Sequence, residues 1–539
     1  MAHDYIIVGT GAAGSVLADR LSESGEHSIL VLEAGGSDWN PMHRVPKGWV
    51  FTMQNDTYVR KYYPEPFGDG TTEQWPRGVV DGGSTTVNGL GWNTGESPAY
   101  DWESLGNEGW NWPAFRNALD QIENRSSGLG SLSKKKGKMN VETVSTKDEL
   151  GDAFIAALAS QGAQVVEDAN LAEGDRASYA STNTKLGTRW SAAEAFLNPA
   201  VKRKNVTKIN HANVIRVVFS GTTAIGVEAD VNGELKTFLA DREVLICAGS
   251  LESPMILERS GIGRRDVLDA AGVEVLVESP KVGENLSEHR GISMLYSLNE
   301  GLGFNHEINS PLKQLIAGAK YLFTRKGVIS SGSFDAIAMV KLNPESKGVD
   351  TQLFATAISY DEKMQPRKEA GGLIGGYPMY PTSRGSIHIT GPRAADKPRI
   401  ITGYYETNYD KEMIVKTTHK MREILNSPEM QSLGAKEFYP GEAVQTDEEI
   451  VHHSLNFGPF GYHTLGTCAI GPDEDDVVDN RLRVRGVDSL RVVDASIFPH
   501  QPSGNNNGPT SAAAWIAADK ILEDSLLFKQ KEVAIRPVG

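Results

Sequence analysis

Tyr5-Ile6-Ile7-Val8-Gly9-Thr10-Gly11-Ala12-Ala13-Gly14 is the stretch whose reading decides the fold. Residues 5–8 form a short, β-branched apolar run that reads as a buried parallel strand. Glycine spacing G-x-G-x-x-G follows at once, and Ser15 to Leu21 then carry apolar residues at helical spacing. A second apolar run, Ser28 to Leu32, ends at Glu33, about 20 residues beyond the glycines. In this pattern Gly9 permits the tight turn, Gly11 lets the backbone approach a pyrophosphate, and Gly14 lets helix and strand pack closely. The helix N-terminus offers unpaired N–H groups and a positive dipole end to phosphate. Glu33 can accept hydrogen bonds from ribose hydroxyls. The stretch predicts a dinucleotide site and does not itself separate FAD from NAD.

The remaining composition narrows the function classes. The 539 residues are 39% hydrophobic and 23% charged, an ordinary globular balance that excludes disorder, collagen and coiled coil. With 54 basic and 69 acidic residues the net charge is −15, which disfavours nucleic acid. The basic run Lys134-Lys135-Lys136-Gly137-Lys138 reads as a solvated loop. No apolar run reaches the ~18 residues of a spanning helix, so no membrane partner is expected. The N-terminus does not read as a signal peptide, and a cytoplasmic location is expected. Two cysteines, Cys247 and Cys468, make neither a disulfide framework nor a zinc site, and no metal is expected. His452 and His453 read as surface histidines.

Further along, Arg77 to Gly89 contain a glycine pair, three hydroxyl residues and an Asn, a loop able to press its backbone on a cofactor. Asp241 to Gly249 read as a buried strand leading into a helix from Ser250, with Pro254 near its first turn and Gly261 past its end.

On these residues the chain resembles the glucose–methanol–choline (GMC) family of FAD-dependent oxidoreductases. The segment Gly249 to Gly263 matches one family signature in full. The other matches in Gly82-Gly83-Ser84-Thr85, Val87-Asn88 and Trp92, and departs at Val79 and Asp81. Further matches are Arg189 to Ala193, Val282 to Leu286 with His289, and a C-terminal block that includes Tyr462-His463, Val493-Asp494-Ala495 and Asn505 to Thr510. The resemblance spans nearly the whole chain.

It implies an α/β fold: a doubly wound Rossmann-like FAD-binding domain from residues 1–155, 190–300 and 455–530, and a second α+β substrate domain with an antiparallel sheet from 156–189 and 301–454. Ser386 to Thr390 alternate like an antiparallel strand, and Leu315 to Leu322 and Lys411 to Leu425 have helical periodicity. Val533 to Gly539 read as a loose tail.

The resemblance also implies the chemistry: an alcohol is oxidised to the carbonyl by hydride transfer to flavin N5, and oxygen or another acceptor takes the electrons. The matching positions make His463 the general base and Asn505 its partner at the substrate oxygen. Pro509-Thr510 fix the count that selects Asn505 from the three consecutive asparagines. His289 belongs to a motif expected to serve structure, and His500 is given no direct role. FAD is expected to be held by Gly9, Gly11, Ala12, Ala13, Gly14, Glu33, Ala34, Gly82, Gly83, Ser84, Asn88, Gly89, Val214, Ala248, Asp494, Ala495, Asn506 and Thr510. Val87 stands where some members carry the His that binds flavin covalently, so noncovalent FAD is expected. A sugar, glycoside or other polar ring alcohol, stacked on Phe457, Phe460 or Tyr462, is the expected substrate, and no acidic residue supports choline. The alternatives are a flavin-containing hydroxynitrile lyase and a non-enzymatic flavoprotein. Oligomeric state is left open.

Overall fold

A computed structural model describes residues 2–125, 137–144, 146–361 and 365–535, with side chains to Leu527. The N-terminal strand His3–Val8 lies at the centre of a seven-stranded sheet. It pairs in parallel with Ile29–Leu32 on one side (Tyr5 opposite Ile29) and with Glu234–Ile246 on the other (Val8 opposite Ile246). Val206–Ile209 and Leu490–Val492 extend the parallel part. Residues 5–8 and 29–32 are buried throughout, as an apolar run covered on both faces must be.

The covering helices are Ala12–Ser22 and the C-terminal Asn507–Ile535. Val16, Leu17 and Leu21 share a core with Ala513, Ala517 and Ile521. At the rim, Arg20 bonds Asp519 at 2.6 Å and lies over the Trp515 ring. The C-terminal helix runs on through residues 533–535, which the sequence suggested were a loose tail; residues 536–539 lie outside the described part.

Strand Glu234–Ile246 has two allegiances. Residues 234–239 pair antiparallel with Thr223–Val231, and residues 243–246 belong to the parallel sheet. Helix Gly249–Arg259 follows it. Pro254 sits inside this helix rather than in its first turn. A proline there leaves the carbonyl four residues back without its N–H partner. The Thr467 hydroxyl takes that role, donating to Ser250 O at 2.6 Å.

A second seven-stranded sheet is mostly antiparallel. Its strands run in the order Lys436–Tyr439, Ile292–Ser297, Gly371–Pro378, Thr351–Thr356, Ala336–Val340, Arg176–Tyr179, Gln164–Val165. Helices Glu149–Ser160 and Asn408–Leu425 pack with it around a core that includes Phe154, Met294, Leu353, Ile414 and Ile424. Strand 292–297 thus joins the second sheet although the sequence division grouped it with the first, and helix 149–160, which that division cut after residue 155, packs as a whole with the second sheet. Ser386–His388 is a strand as expected, but it pairs only with Arg399–Ile401, in a separate hairpin.

His453 is buried, against the expectation of a surface residue. Helix Asp447–Phe457 turns it inward with Ile450 and Ser454, and its ring packs on Tyr439 and Phe457. His452 is exposed and paired with Asp69. Lys134 to Lys136 of the basic run lie outside the described residues, whereas Lys138 pairs with the buried Asp19.

Candidate functional site

The glycine loop has the geometry its sequence demands. Gly9 has φ +99°, and a Cβ there would lie 2.6 Å from Cys247 O. A Cβ on Gly14 would lie 2.0 Å from Gly9 O, so helix and strand touch backbone to backbone. At Gly11 a Cβ would meet no protein atom within 4 Å. Gly11 is the N-cap of helix Ala12–Ser22, which starts with Ala12 and Ala13 and has no side-chain cap. The start of this helix therefore has open space beside Gly11, as a phosphate docked on its first N–H groups requires.

The glycine pair closes on this loop. Gly82 N donates to Thr10 Oγ1 at 3.3 Å, and a Cβ on Gly83 would approach Gly11 Cα to 2.9 Å. Glu33 joins the same cluster. One of its oxygens accepts from Thr10 N at 3.0 Å and from Thr10 Oγ1 at 2.5 Å, and the other accepts from Gly35 N at 2.8 Å. Burial raises its carboxyl above the usual range. Ala34 follows it, and Ala212 N donates to Glu33 O, which brings strand Ala212–Ser220, with Val214, alongside. Asp81, one of the departures from the family signature, is matched by Lys208, which pairs with it, and by Asn210.

Asp494 ties the C-terminal block to this region. It accepts from Gly249 N at 2.9 Å and Ser253 Oγ at 2.5 Å through one oxygen and from Ser496 N at 2.8 Å through the other, so it caps the helix that begins after Ala248. Ala495 O accepts from Gly466 N. The remaining loop residues have structural partners. Ser84 Oγ accepts from Gly78 N, Asn88 is held by Arg189 through both its side chain and its carbonyl, and Gly89 O accepts from Ser333 N.

The structure brings His463 and Asn505 together: Asn505 Nδ2 is 2.8 Å from His463 Nε2. Asn505 Oδ1 accepts from Asn93 Nδ2 at 2.5 Å, which fixes the amide with its NH₂ end toward the histidine. Asn506 Nδ2 donates to His463 O at 2.7 Å and Thr510 N to Asn506 O at 2.9 Å, whereas Asn507 turns to Asn183. The buried side-chain oxygens of Asn506 and Asn507 have no protein partner. Together with the open cradle at Gly11, these orphaned acceptors fit a phosphate-bearing cofactor with hydrogen-bond donors of its own.

Sequence reasoning set His289 aside, yet its Nδ1 lies 2.9 Å from His463 Nδ1, and its Nε2 lies 3.0 Å from Met379 O. A carbonyl only accepts, so His289 carries its proton on Nε2 and presents a bare Nδ1. His463 then carries its proton on Nδ1 and presents a bare Nε2 toward Asn505. Burial holds the His289 imidazole down at about 4, and burial, then His289 and Arg77, hold that of His463 well below the usual range. Both rings are neutral near pH 7. Glu288, also missed, accepts from His289 N at 2.9 Å and His463 N at 2.7 Å through one oxygen, with Arg77 3.6 Å from the other; burial raises its carboxyl to about 7.

The aromatic side chains at the pair differ from those expected. Tyr377 stacks on His289, with ring centroids 4.6 Å apart, and meets His463 edge-on at 5.9 Å. Phe354 lies next to Tyr377, and Phe334 lies next to Phe354 and over Gly91. Phe457 and Tyr462 are largely exposed, and Phe460 packs on Tyr462 and Trp75. Tyr377 reaches the pair through the register of strand Gly371–Pro378, which is not legible in the sequence.

Comparison with known proteins agrees with this geometry. Residues 3–290 match the N-terminal GMC oxidoreductase family model and residues 381–514 the C-terminal one. The chain is 36% identical to an "oxygen-dependent choline dehydrogenase" of Vibrio vulnificus (strain YJ016), over 98% of this chain and 96% of that protein. It is 35% identical to a protein of the same description from Rhizobium johnstonii, over 99% and 98%. Among solved structures, pyridoxine 4-oxidase from "Mesorbium loti" superposes with a TM-score of 0.85 at 29% identity, over 96% of this chain and 99% of that one. A formate oxidase superposes with a TM-score of 0.88 at 22% identity, over 97% and 98%, a likeness of fold. The chain belongs to the GMC oxidoreductase family and is an FAD-dependent oxidoreductase acting on alcohols.

Proposed function

We propose that the protein oxidises an alcohol at its carbinol carbon, with His463 as general base and Asn505 as the donor to the substrate oxygen. The observation that carries this reading is the ordered chain Met379 O, His289, His463, Asn505, which leaves a bare Nε2 on a neutral, buried imidazole. Such a nitrogen accepts a hydroxyl proton at neutral pH. In the free site an Asn505 N–H occupies the Nε2 lone pair; the alcohol hydroxyl takes its place there, and the Asn505 N–H donates to the alcohol oxygen instead, where negative charge develops as the proton leaves. Bound FAD supplies the hydride acceptor. The cofactor residues are those around the Gly11 cradle and the start of the C-terminal helix, as set out above.

For the substrate we favour an alcohol carried on a flat aromatic or apolar group. Tyr377, whose ring meets His463 edge-on, and Phe354 and Phe334 beyond it are the aromatic side chains nearest the pair and would supply the contact. Choline is the second reading, favoured by the relatives' description and by the affinity of ring faces for a quaternary ammonium. Against it, the carboxylate beside the pair, Glu288, already faces two backbone N–H groups and Arg77. The test is anaerobic mixing of the holoenzyme with pyridoxine, a benzylic alcohol, choline and an alkyl glucoside. Loss of flavin absorbance with the ring alcohols first supports the proposal. Faster loss with choline or the glucoside overturns the substrate reading. No loss with any alcohol overturns the oxidation mechanism and favours lyase chemistry.

A further inference from the structure

Helix Pro311–Thr324 is amphipathic in the inverse sense. Its buried residues are Ala317 and Tyr321. Leu312, Leu315, Ile316, Ala319, Leu322 and Phe323, spaced three and four apart, form a single stripe. That stripe points away from the protein: Leu312 is 67% exposed, Leu315 70%, Ile316 58%, Leu322 65% and Phe323 91%. Soluble proteins scatter single exposed apolar residues, and a contiguous stripe of large ones marks an interaction surface. Leu186, also exposed at 78%, lies on the neighbouring hairpin, whose Gly187 O accepts from Tyr321 Oη at 2.9 Å.

Charge identifies the occupant. The protein carries a net −15, yet from Ile308 to Phe334 the sequence holds Lys313, Lys320, Arg325 and Lys326 and no acidic residue. All four cations are exposed, with Lys320 3.7 Å from Glu307. A two-fold pairing of this face with a second copy would set these cations against one another. An anionic lipid surface pairs with them while the stripe enters the headgroup and acyl boundary, the long basic side chains reaching back to the phosphates. Fourteen residues are too short to span a bilayer, and no described helix is long and apolar enough to cross one. We propose that the outward face of helix Pro311–Thr324 docks the enzyme peripherally on an anionic lipid bilayer. The sequence expectation of no membrane partner rested on the lack of a spanning helix, which does not bear on a helix lying on the surface. Beyond the helix the chain leads to Ser333, whose N–H donates to Gly89 O, and to Phe334 of the aromatic wall.

Flotation of the holoenzyme with vesicles tests this, using phosphatidylcholine alone and phosphatidylcholine mixed with phosphatidylglycerol. The expected result is flotation with the mixed vesicles only, reversed by high salt. Leu315→Glu/Phe323→Glu should abolish flotation with flavin content and turnover unchanged. Lys313→Gln/Lys326→Gln should weaken it roughly thirtyfold. Failure of the parent protein to float, or equal flotation with neutral vesicles, overturns the proposal. So does a vesicle-free dimer that Leu315→Glu/Phe323→Glu dissociates, which would assign the face to a second copy.

Discussion

His463 Nδ1 lies 2.9 Å from His289 Nδ1, and a single proton serves both nitrogens. Met379 O decides which one holds it, because it claims the only proton of neutral His289 at Nε2. The direction of the His463 ring is thus set from the second sheet, through a residue that touches neither Asn505 nor, by the proposed mechanism, the alcohol.

His289 is therefore a positioning residue, and its removal has a specific signature. His289→Ala leaves the His463 Nδ1–H without its buried acceptor, a loss of about 1–3 kcal/mol. Anaerobic flavin reduction should slow roughly 5- to 150-fold, the same energy expressed as a rate. His289→Gln, which keeps an acceptor oxygen, should recover part of the loss. A His289→Ala enzyme that reduces at the parent rate, or a Gln variant no better than Ala at equal flavin content, speaks against the role. His463→Ala should cost roughly 10²–10⁴.

The same geometry gives a pH dependence. The base acts in its neutral form, and burial lowers the His463 pKa well below 6.5. The neutral form therefore persists into acid where an ordinary histidine would be mostly protonated. The rate of anaerobic reduction should hold its plateau through pH 6.5 and fall only below it. An acid limb centred at or above 6.5 contradicts a buried neutral base.

Gly11 and Gly14, three residues apart, should fail in different ways. A side chain on Gly11 meets no protein atom within 4 Å, whereas one on Gly14 meets Gly9 O at 2.0 Å. Gly11→Val should fold, with near-parent circular dichroism, and purify without flavin, since its side chain takes the place of phosphate. Gly14→Val should not fold. A Gly11→Val protein with full flavin content refutes the phosphate cradle.

The glycine loop was legible because its constraints are local: turn, close approach and helix packing all fall within six residues. The pairing of His463 with Asn505 came from family motifs. Three kinds of feature were not legible. Contacts distant in sequence were hidden: His289 and His463 are 174 positions apart, and Asn93 and Asn505 are 412 apart. Strand register was hidden, and with it Tyr377. Helix phase over short polar segments was ambiguous, so His453, with the charged turn Asp447 to Glu449 before it, read as surface although its helix turns it onto Tyr439.

His388 predicts a stability profile. Its Nδ1 lies 2.6 Å from Glu258 and its Nε2 3.2 Å from Glu284, so both ring nitrogens face carboxylates and both must donate. Against the opposing effect of burial, the two carboxylates raise the imidazole to about 9. A histidine whose folded pKa exceeds its unfolded value contributes fully below about 6.5 and loses that contribution as pH climbs toward 9. Thermal stability should decline across this window. His388→Leu, which strands the buried Glu258 while Glu284 keeps Arg264, should cost about 3 kcal/mol at pH 6 and flatten the decline. An unchanged slope in the variant would assign the decline to other groups.

The last expectation concerns how FAD is held. A covalent link requires a nucleophile at the flavin. Val87, buried in the glycine-pair loop, offers none. Thr85 Oγ1 donates to Gly82 O at 2.6 Å, and Thr86 Oγ1 donates to Asp81 O at 2.7 Å, so both hydroxyl protons are held by carbonyls rather than by a base. Cys247 and Cys468 are buried, and burial with nearby Asp494 raises both thiols well above the usual range, which suppresses the thiolate that would attack. His463 and His289 hydrogen-bond each other through Nδ1, and their Nε2 atoms face Asn505 and Met379 O. The flavin should therefore leave with denaturation. Acid precipitation should give a yellow supernatant over a colourless pellet, and a pellet that stays yellow after washing in denaturant would show a covalent bond that none of these side chains accounts for.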